Sequence, residues 1–322
     1  MNDIKKRFET ALKKFTDKIK PDPNVVAVIL LGSLSNDTVW EKSDMDVKVI
    51  VRESSNIKTW SYCCEEDGLI INVDIYKEVD FKRSLERNLG GGMMAAFYSS
   101  AVVLYTADES LREAVGRANE IGADDIPLSF FHNAVLLIGI MDKIEKWIVV
   151  KKDPQYSQYW ILKAADIYAN MRLILDGRHI NREAVLKVME YDPEFIRPVY
   201  ERPMKGDMTL EECRKIVDTF RQFLINNIDT IKKPVANYMS DGESHTVTGL
   251  VRRFGCSSHD IYHIFDFLEE MGIVGRVSNT VRITPKSRLS AEEVGFMYIE
   301  GFGSNNQFLL ENDQTGRPEF MW

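Results

Sequence analysis

An apolar, β-branched run, Asn24-Val-Val-Ala-Val-Ile-Leu-Leu31, stops at Gly32-Ser33, and a second begins at Asp44-Met-Asp-Val-Lys-Val-Ile-Val51. Runs of this composition and length are strands, and a glycine at the end of the first marks a tight turn. The second run has a period of two, so Asp44 and Asp46 share one face of the strand while Met45, Val47 and Val49 point to the other. Two carboxylates about 7 Å apart along a strand repel each other unless positive charge stands between them. A divalent cation is the usual remedy.

A third carboxylate follows in Leu69-Ile-Ile-Asn-Val-Asp74-Ile-Tyr-Lys77, another strand-like run with Asp74 between apolar neighbours. Thr59 to Cys64 is aromatic and β-prone, and Glu65-Glu-Asp-Gly68 reads as the turn of a hairpin that leads into it. Three carboxylates on adjacent strands suit Mg²⁺, a hard cation that keeps some water and shares its other positions with phosphate oxygens. That chemistry is phosphoryl or nucleotidyl transfer. Taken singly, Gly32-Ser33 is an ordinary turn and Asp-x-Asp an ordinary solvated pair, so the inference rests on their combination.

Gly32-Ser33, the interval to Asp44-Met45-Asp46, and the later Asp74 together resemble the signature of the polymerase-β-type nucleotidyltransferase superfamily. Within it, the likeness is to the antibiotic and minimal nucleotidyltransferases, and it covers about the first 115 residues. The resemblance implies that Gly32 and Ser33 hold the β- and γ-phosphates of a nucleoside triphosphate, as helix-opening backbone N–H groups do. It implies that Asp44 and Asp46 hold the metals, two Mg²⁺ ions. Asp74 then either completes one metal site or accepts the proton of the attacking hydroxyl.

At 322 residues the chain is too long for one ordinary core. The expected fold is an α/β (α+β) nucleotidyltransferase domain with a mixed sheet, then an all-α helical bundle, then a winged helix-turn-helix-like domain. The boundaries fall at 1–125 for the catalytic domain, 126–233 for an acceptor-binding bundle and 234–288 for the winged unit, with 289–322 a docked C-terminal tail. Helices are expected at Asp80–Leu89, Ser110–Glu120, Phe130–Val150, Ser157–Leu175, Arg182–Glu190 and Leu210–Ile231, the last followed by a new helix opening at Pro234. In the antibiotic nucleotidyltransferases a helical domain forms the other wall of the cleft. On that likeness Lys163 is the candidate for neutralising the triphosphate; Tyr156, Tyr159 and Tyr168 read as packing.

From Thr246 onward, two short helical segments are expected to precede a hairpin made of Gly272–Val277 and Asn279–Pro285. The helix that would enter a DNA groove, Ser257 to Glu270, carries Asp260, Asp266, Glu269 and Glu270 and no Lys or Arg. Groove-reading helices need cations or amides, so the sequence argues against DNA as a partner. Arg252, Arg253, Arg276 and Arg282 are the residues left to contact phosphates.

The net charge of −8 is spread without a strongly basic segment, which also disfavours a polynucleotide and suits a neutral or cationic acceptor. No apolar run is long enough to span a membrane, the start of the chain reads as an amphipathic helix, and Cys63, Cys64, Cys213 and Cys256 lack metal-site spacing. These point to a cytoplasmic protein, with oligomeric state open and a homodimer among the options. The expected reaction is Mg²⁺-dependent transfer of a nucleoside monophosphate, AMP from ATP, to a hydroxyl of a small molecule of aminoglycoside-like kind. Two other readings fit the same residues: a nucleotide-sensing transcriptional regulator without turnover, and an enzyme that AMPylates a protein.

Overall fold

The computed structural model describes residues 2–32, 34, 40–88, 98, 100–117, 121–122, 125–286 and 288–300. The chain opens with α1 (Asn2–Ile19), which places Ile4, Phe8, Ala11, Leu12, Phe15 and Ile19 on one face at helical spacing. Then come β1 (Val25–Leu31), β2 (Met45–Val51), β3 (Ser61–Glu66), β4 (Leu69–Lys77), α2 (Glu78–Asn88), β5 (Val102–Thr106) and α3 (Glu109–Arg117). The β3–β4 hairpin closes on Asp67 and Gly68, both at positive φ, which is the Asp-Gly turn whose twist matches its strands.

These strands form one mixed sheet in the order β3-β4-β2-β1-β5, in which β2 and β4 run parallel and the other pairs are antiparallel. Alternation along the strands divides the core into two layers. Val28, Leu30, Met45, Val47, Val49, Ile71 and Val73 meet α1 on one face. Ala27, Ile29, Leu31 and Ile50 meet Phe81 and Leu85 of α2 and Leu111 and Val115 of α3 on the other. Asp46, Lys48 and Ile50 share this second face, so the carboxylate end of β2 emerges from beneath α2 and α3.

The second region begins with α4 (Asp125–Lys146), continued by a π-helical turn Trp147–Lys151, and α5 (Pro154–Leu175). Lys152 in the left-handed region breaks the run, and the Asp153 carboxylate caps α5 at the Tyr156 N–H ahead of Pro154. Next are α6 (Ala184–Tyr191), α7 (Leu210–Asn226) and α8 (Ile228–Tyr238), with α7 opened by a capping box between Thr209 and Glu212. Helix α4 is apolar nearly all round because α5, α7 and α8 pack on it. No helix among the described residues is long and apolar enough to cross a membrane.

Last come β6 (His245–Thr246), α9 (Val247–Phe254), α10 (Ser258–Glu270), β7 (Val274–Val281) and β8 (Ala291–Tyr298), the strands forming a sheet in the order β6-β8-β7. Helix α10 lies against α4, and His132 of α4 bonds the carbonyl of Phe254 at 2.8 Å. One apolar core runs without interruption from Phe130 in α4 to Phe296 in β8.

Several local expectations change. Pro234 does not open a helix; it sits inside α8, and the expected Leu210–Ile231 helix is two helices parted at Asn227. The partner of β7 is not Asn279–Pro285. Residues Asn279 to Val281 still belong to β7, and the returning strand is β8, in the stretch read from sequence as tail, where Phe296 is fully buried. Alternation in Ala291-Glu-Glu-Val-Gly-Phe-Met-Tyr298 was the overlooked signal. The triple glycine at 90–92 and the tail beyond Glu300 lie outside the described residues.

The shared core makes a test. Phe254 touches the rings of Phe131, Tyr238 and Phe265, so Phe254→Ala should cost about 3–5 kcal/mol. Hydrogen exchange in urea should show α4 and α10 amides losing protection together, as one cooperative unit.

Candidate active site

The turn at the end of β1 and the start of β2 meet because β1 and β2 pair antiparallel, with Leu31 opposite Asp46. Gly32 follows with φ of +81°, and a Cβ there would stand 2.7 Å from Asp46 Oδ2. Only glycine satisfies both conditions, since the left-handed backbone is costly for other residues and the space is taken by a carboxylate. Ser33 lies outside the described residues.

Asp44 is exposed just ahead of β2, and Asp46 is half-buried within it. The parallel register puts Asp46 opposite Asn72 and Lys48 opposite Asp74. Asn72 Nδ2 donates to Asp44 Oδ2 at 2.6 Å and lies 3.4 Å from Asp46 Oδ1, a single neutral donor between two carboxylates. One pair further along, Lys48 Nζ sits 3.3 Å from Asp74 Oδ2, 3.4 Å from Tyr76 Oη and 4.6 Å from the Tyr76 ring centre. Lys48 is only 6% exposed. Burial alone would lower its pKa, but Tyr76, Tyr98 and Asp74 outweigh that and raise it.

Asp46 is held above the ordinary aspartate value of 3.8, first by burial and then by the negative charge of Asp44 and Asp74, against the opposing pull of Asn72 and Lys48. Asp44, Asp46 and Asp74 thus share one field. They are not equivalent: the first two converge on Asn72, while the third faces a buried ammonium. Among the described residues, no three His, Cys, Asp or Glu side chains are grouped closely enough to hold a metal ion by themselves. Asp44 and Asp46 still fit Mg²⁺, because two hard oxygen donors facing a common point suit a cation that fills its other positions with water and phosphate.

Lys163 is an exposed residue of α5, with its ammonium 4.8 Å from the ring centres of both Tyr159 and Trp160. Its described contacts are with its own helix. Beside Asp74 an open cavity of about 440 Å³ is lined by Trp60, Ser61, Asp74, Tyr76, Lys77 and Asp80.

Residues 13–110 match the polymerase beta, nucleotidyltransferase family model. This part of the chain is a polymerase beta-type nucleotidyltransferase domain. A nucleotidyltransferase-like protein from Exiguobacterium sibiricum 255-15 superposes with a TM-score of 0.63 at 15% identity, over 91% of this chain and 99% of that one, which shows a shared fold. Spectinomycin adenyltransferase AAD(9) from Enterococcus faecialis matches at 14% identity over 69% of this chain and 99% of its own, with a TM-score of 0.29. No curated protein matches the chain in sequence.

In the nucleotidyltransferase domain, sequence reasoning missed Lys48 and Asn72. The period of two that selected Asp44, Asp46 and Asp74 also puts Lys48, Asn72 and Tyr76 on the same face. The β2–β4 register, which only the fold supplies, decides who meets whom.

Two outcomes test this geometry. Gly32→Ala should destabilise the domain by about 1–2 kcal/mol from backbone strain alone, and should displace the Asp46 carboxylate, read as a lower urea midpoint. Asp46 binds its proton to higher pH in the folded chain than in the unfolded one, so its contribution to stability falls as pH rises from about 3.9 through the raised value and stays unfavourable above it. Asp46→Asn should therefore raise the metal-free melting temperature at pH 7, with the gain vanishing toward pH 3.

Proposed function

We propose that the protein is a nucleotidyltransferase that moves AMP from ATP to a hydroxyl of a small-molecule acceptor. The observation that carries this reading is the contact of the Gly32 turn with Asp46, next to Asp44, within a polymerase beta-type domain. Gly32 and Ser33 bind the triphosphate tail in this reading, and Asp44 and Asp46 hold Mg²⁺. When bound, Mg²⁺ supplies charge neutralisation at the α-phosphate and at the departing pyrophosphate. Asp74 accepts the proton of the acceptor hydroxyl, and Lys48 fixes its carboxylate through the 3.3 Å contact.

The acceptor enters from the cavity beside Asp74. Its aromatic walls, Trp60 and Tyr76, and its carboxylates, Asp74 and Asp80, favour a neutral or cationic ring compound carrying hydroxyls. We assign residues 126–233 as the wall that completes acceptor binding, with Lys163 at the triphosphate. The unit after it, with α9, α10 and a three-stranded sheet, reads as winged-helix-like. DNA is not its partner in this reading, because Arg276 is committed to Asp266, Glu269 and Tyr262. A cytoplasmic setting suits the four free thiols.

Incubation with α-labelled ATP, Mg²⁺ and an aminocyclitol and aminoglycoside panel should release pyrophosphate and label one acceptor. Asp44→Ala and Asp46→Ala should each lower the rate at least ~10²-fold. Nucleotide binding without pyrophosphate release would favour the sensor, and label on a protein would favour AMPylation.

A further inference from the structure

Outside the nucleotidyltransferase domain, two histidines one turn apart on α10 bring their outer nitrogens together: His259 Nε2 and His263 Nε2 are 3.2 Å apart. Each ring turns its other nitrogen toward a carboxylate. His263 Nδ1 lies 2.7 Å from Asp142 Oδ2 of α4, an ion-pair distance though off-axis for a hydrogen bond, and His259 Nδ1 lies 3.7 Å from Asp260 Oδ1. At that separation at least one Nε2 presents a lone pair, and a metal cation can take the place of a proton shared between the two.

We propose that His259 and His263 form a binding site for a divalent transition metal of the imidazole-preferring class, Zn²⁺ foremost. Zinc–imidazole bonds of 2.0–2.1 Å at a tetrahedral angle place two nitrogens about 3.3 Å apart, close to the spacing that the rings already have. Asp142 acts as a positioning residue that holds the His263 ring. Asp142 adds negative charge beside His263, which favours a cation further, whereas Asp266 and Glu270 are already paired with Arg276 and Arg221. The protein supplies two ligands, and water or an external donor fills the rest. His259, with its side chain 66% exposed, leaves the site open to solvent. The metal bridges two turns of α10, and Asp142 carries the link to α4. Nitrogen ligands separate this site from the oxygen-only seat at Asp44 and Asp46, and it does not rest on the activity proposed above.

The test uses the full chain, stripped of metal and titrated with Zn²⁺ by calorimetry, with Cu²⁺ paramagnetic resonance as a second readout. Wild type and Asp46→Asn should both bind, and Cu²⁺ should show imidazole nitrogen couplings. His259→Gln, at an exposed position, and His263→Gln should lose this binding, and Asp142→Asn should weaken it about 10–100-fold. Unchanged Zn²⁺ uptake in His259→Gln and His263→Gln, or none in wild type, would overturn the site and leave a proton as the shared cation. Loss only in Asp46→Asn would assign the metal to the domain carboxylates instead. Equal affinity in Asp142→Asn would overturn its positioning role.

Discussion

The pairing of β2 with β4 is the interaction on which the nucleotidyltransferase domain depends. Parallel strands cannot be joined by a tight turn, and here the β3 hairpin carries the chain back so that Asp46 meets Asn72 and Lys48 meets Asp74. A slip of one residue would send Asp74 and Tyr76 under α1 and push Ile71 and Val73 toward α2. Burial of both faces forbids that slip. The same apolar patterning that builds the two core layers therefore also sets the distances among the charged groups.

Much of this was legible in the residues themselves. The period of two in Asp44-Met-Asp-Val-Lys48 fixed which side chains share a face, and the β-branched run before Gly32 fixed where the turn falls. Local rules served again at Asp153-Pro154 and at Thr209 with Glu212, where capping chemistry sets helix starts. What local rules could not supply was pairing. Asn72 is unremarkable in a strand until Asp44 and Asp46 lie beside it, and Lys48 looks like a surface residue until Tyr76 and α2 cover it. Pro234 misled because a proline fits the first turn of a helix, whereas here the helix has already run from Ile228 and packing of Ile231 and Val235 outweighs the lost hydrogen bond.

The electrostatic plan differs between the two ends of the molecule. In the nucleotidyltransferase domain, acids gather with one buried ammonium and one amide as internal counterweights, so Asp46 bears a cost that a cation would relieve. On α10 Asp266 and Glu269 are neutralised by Arg276 and Glu270 by Arg221 of α7, while Asp142 of α4 faces the His263 imidazole.

The unbroken core from α4 to β8 sets a limit on how this chain can be recombined. A chimera joined near residue 233 would cut through α8 and leave Phe254, Phe265 and Phe296 without the rings and aliphatic groups that seal them. Grafting a foreign terminal module would demand redesign of α4 as well, because that helix belongs to both sides of the seam. The exchangeable piece is residues 125–300 taken whole.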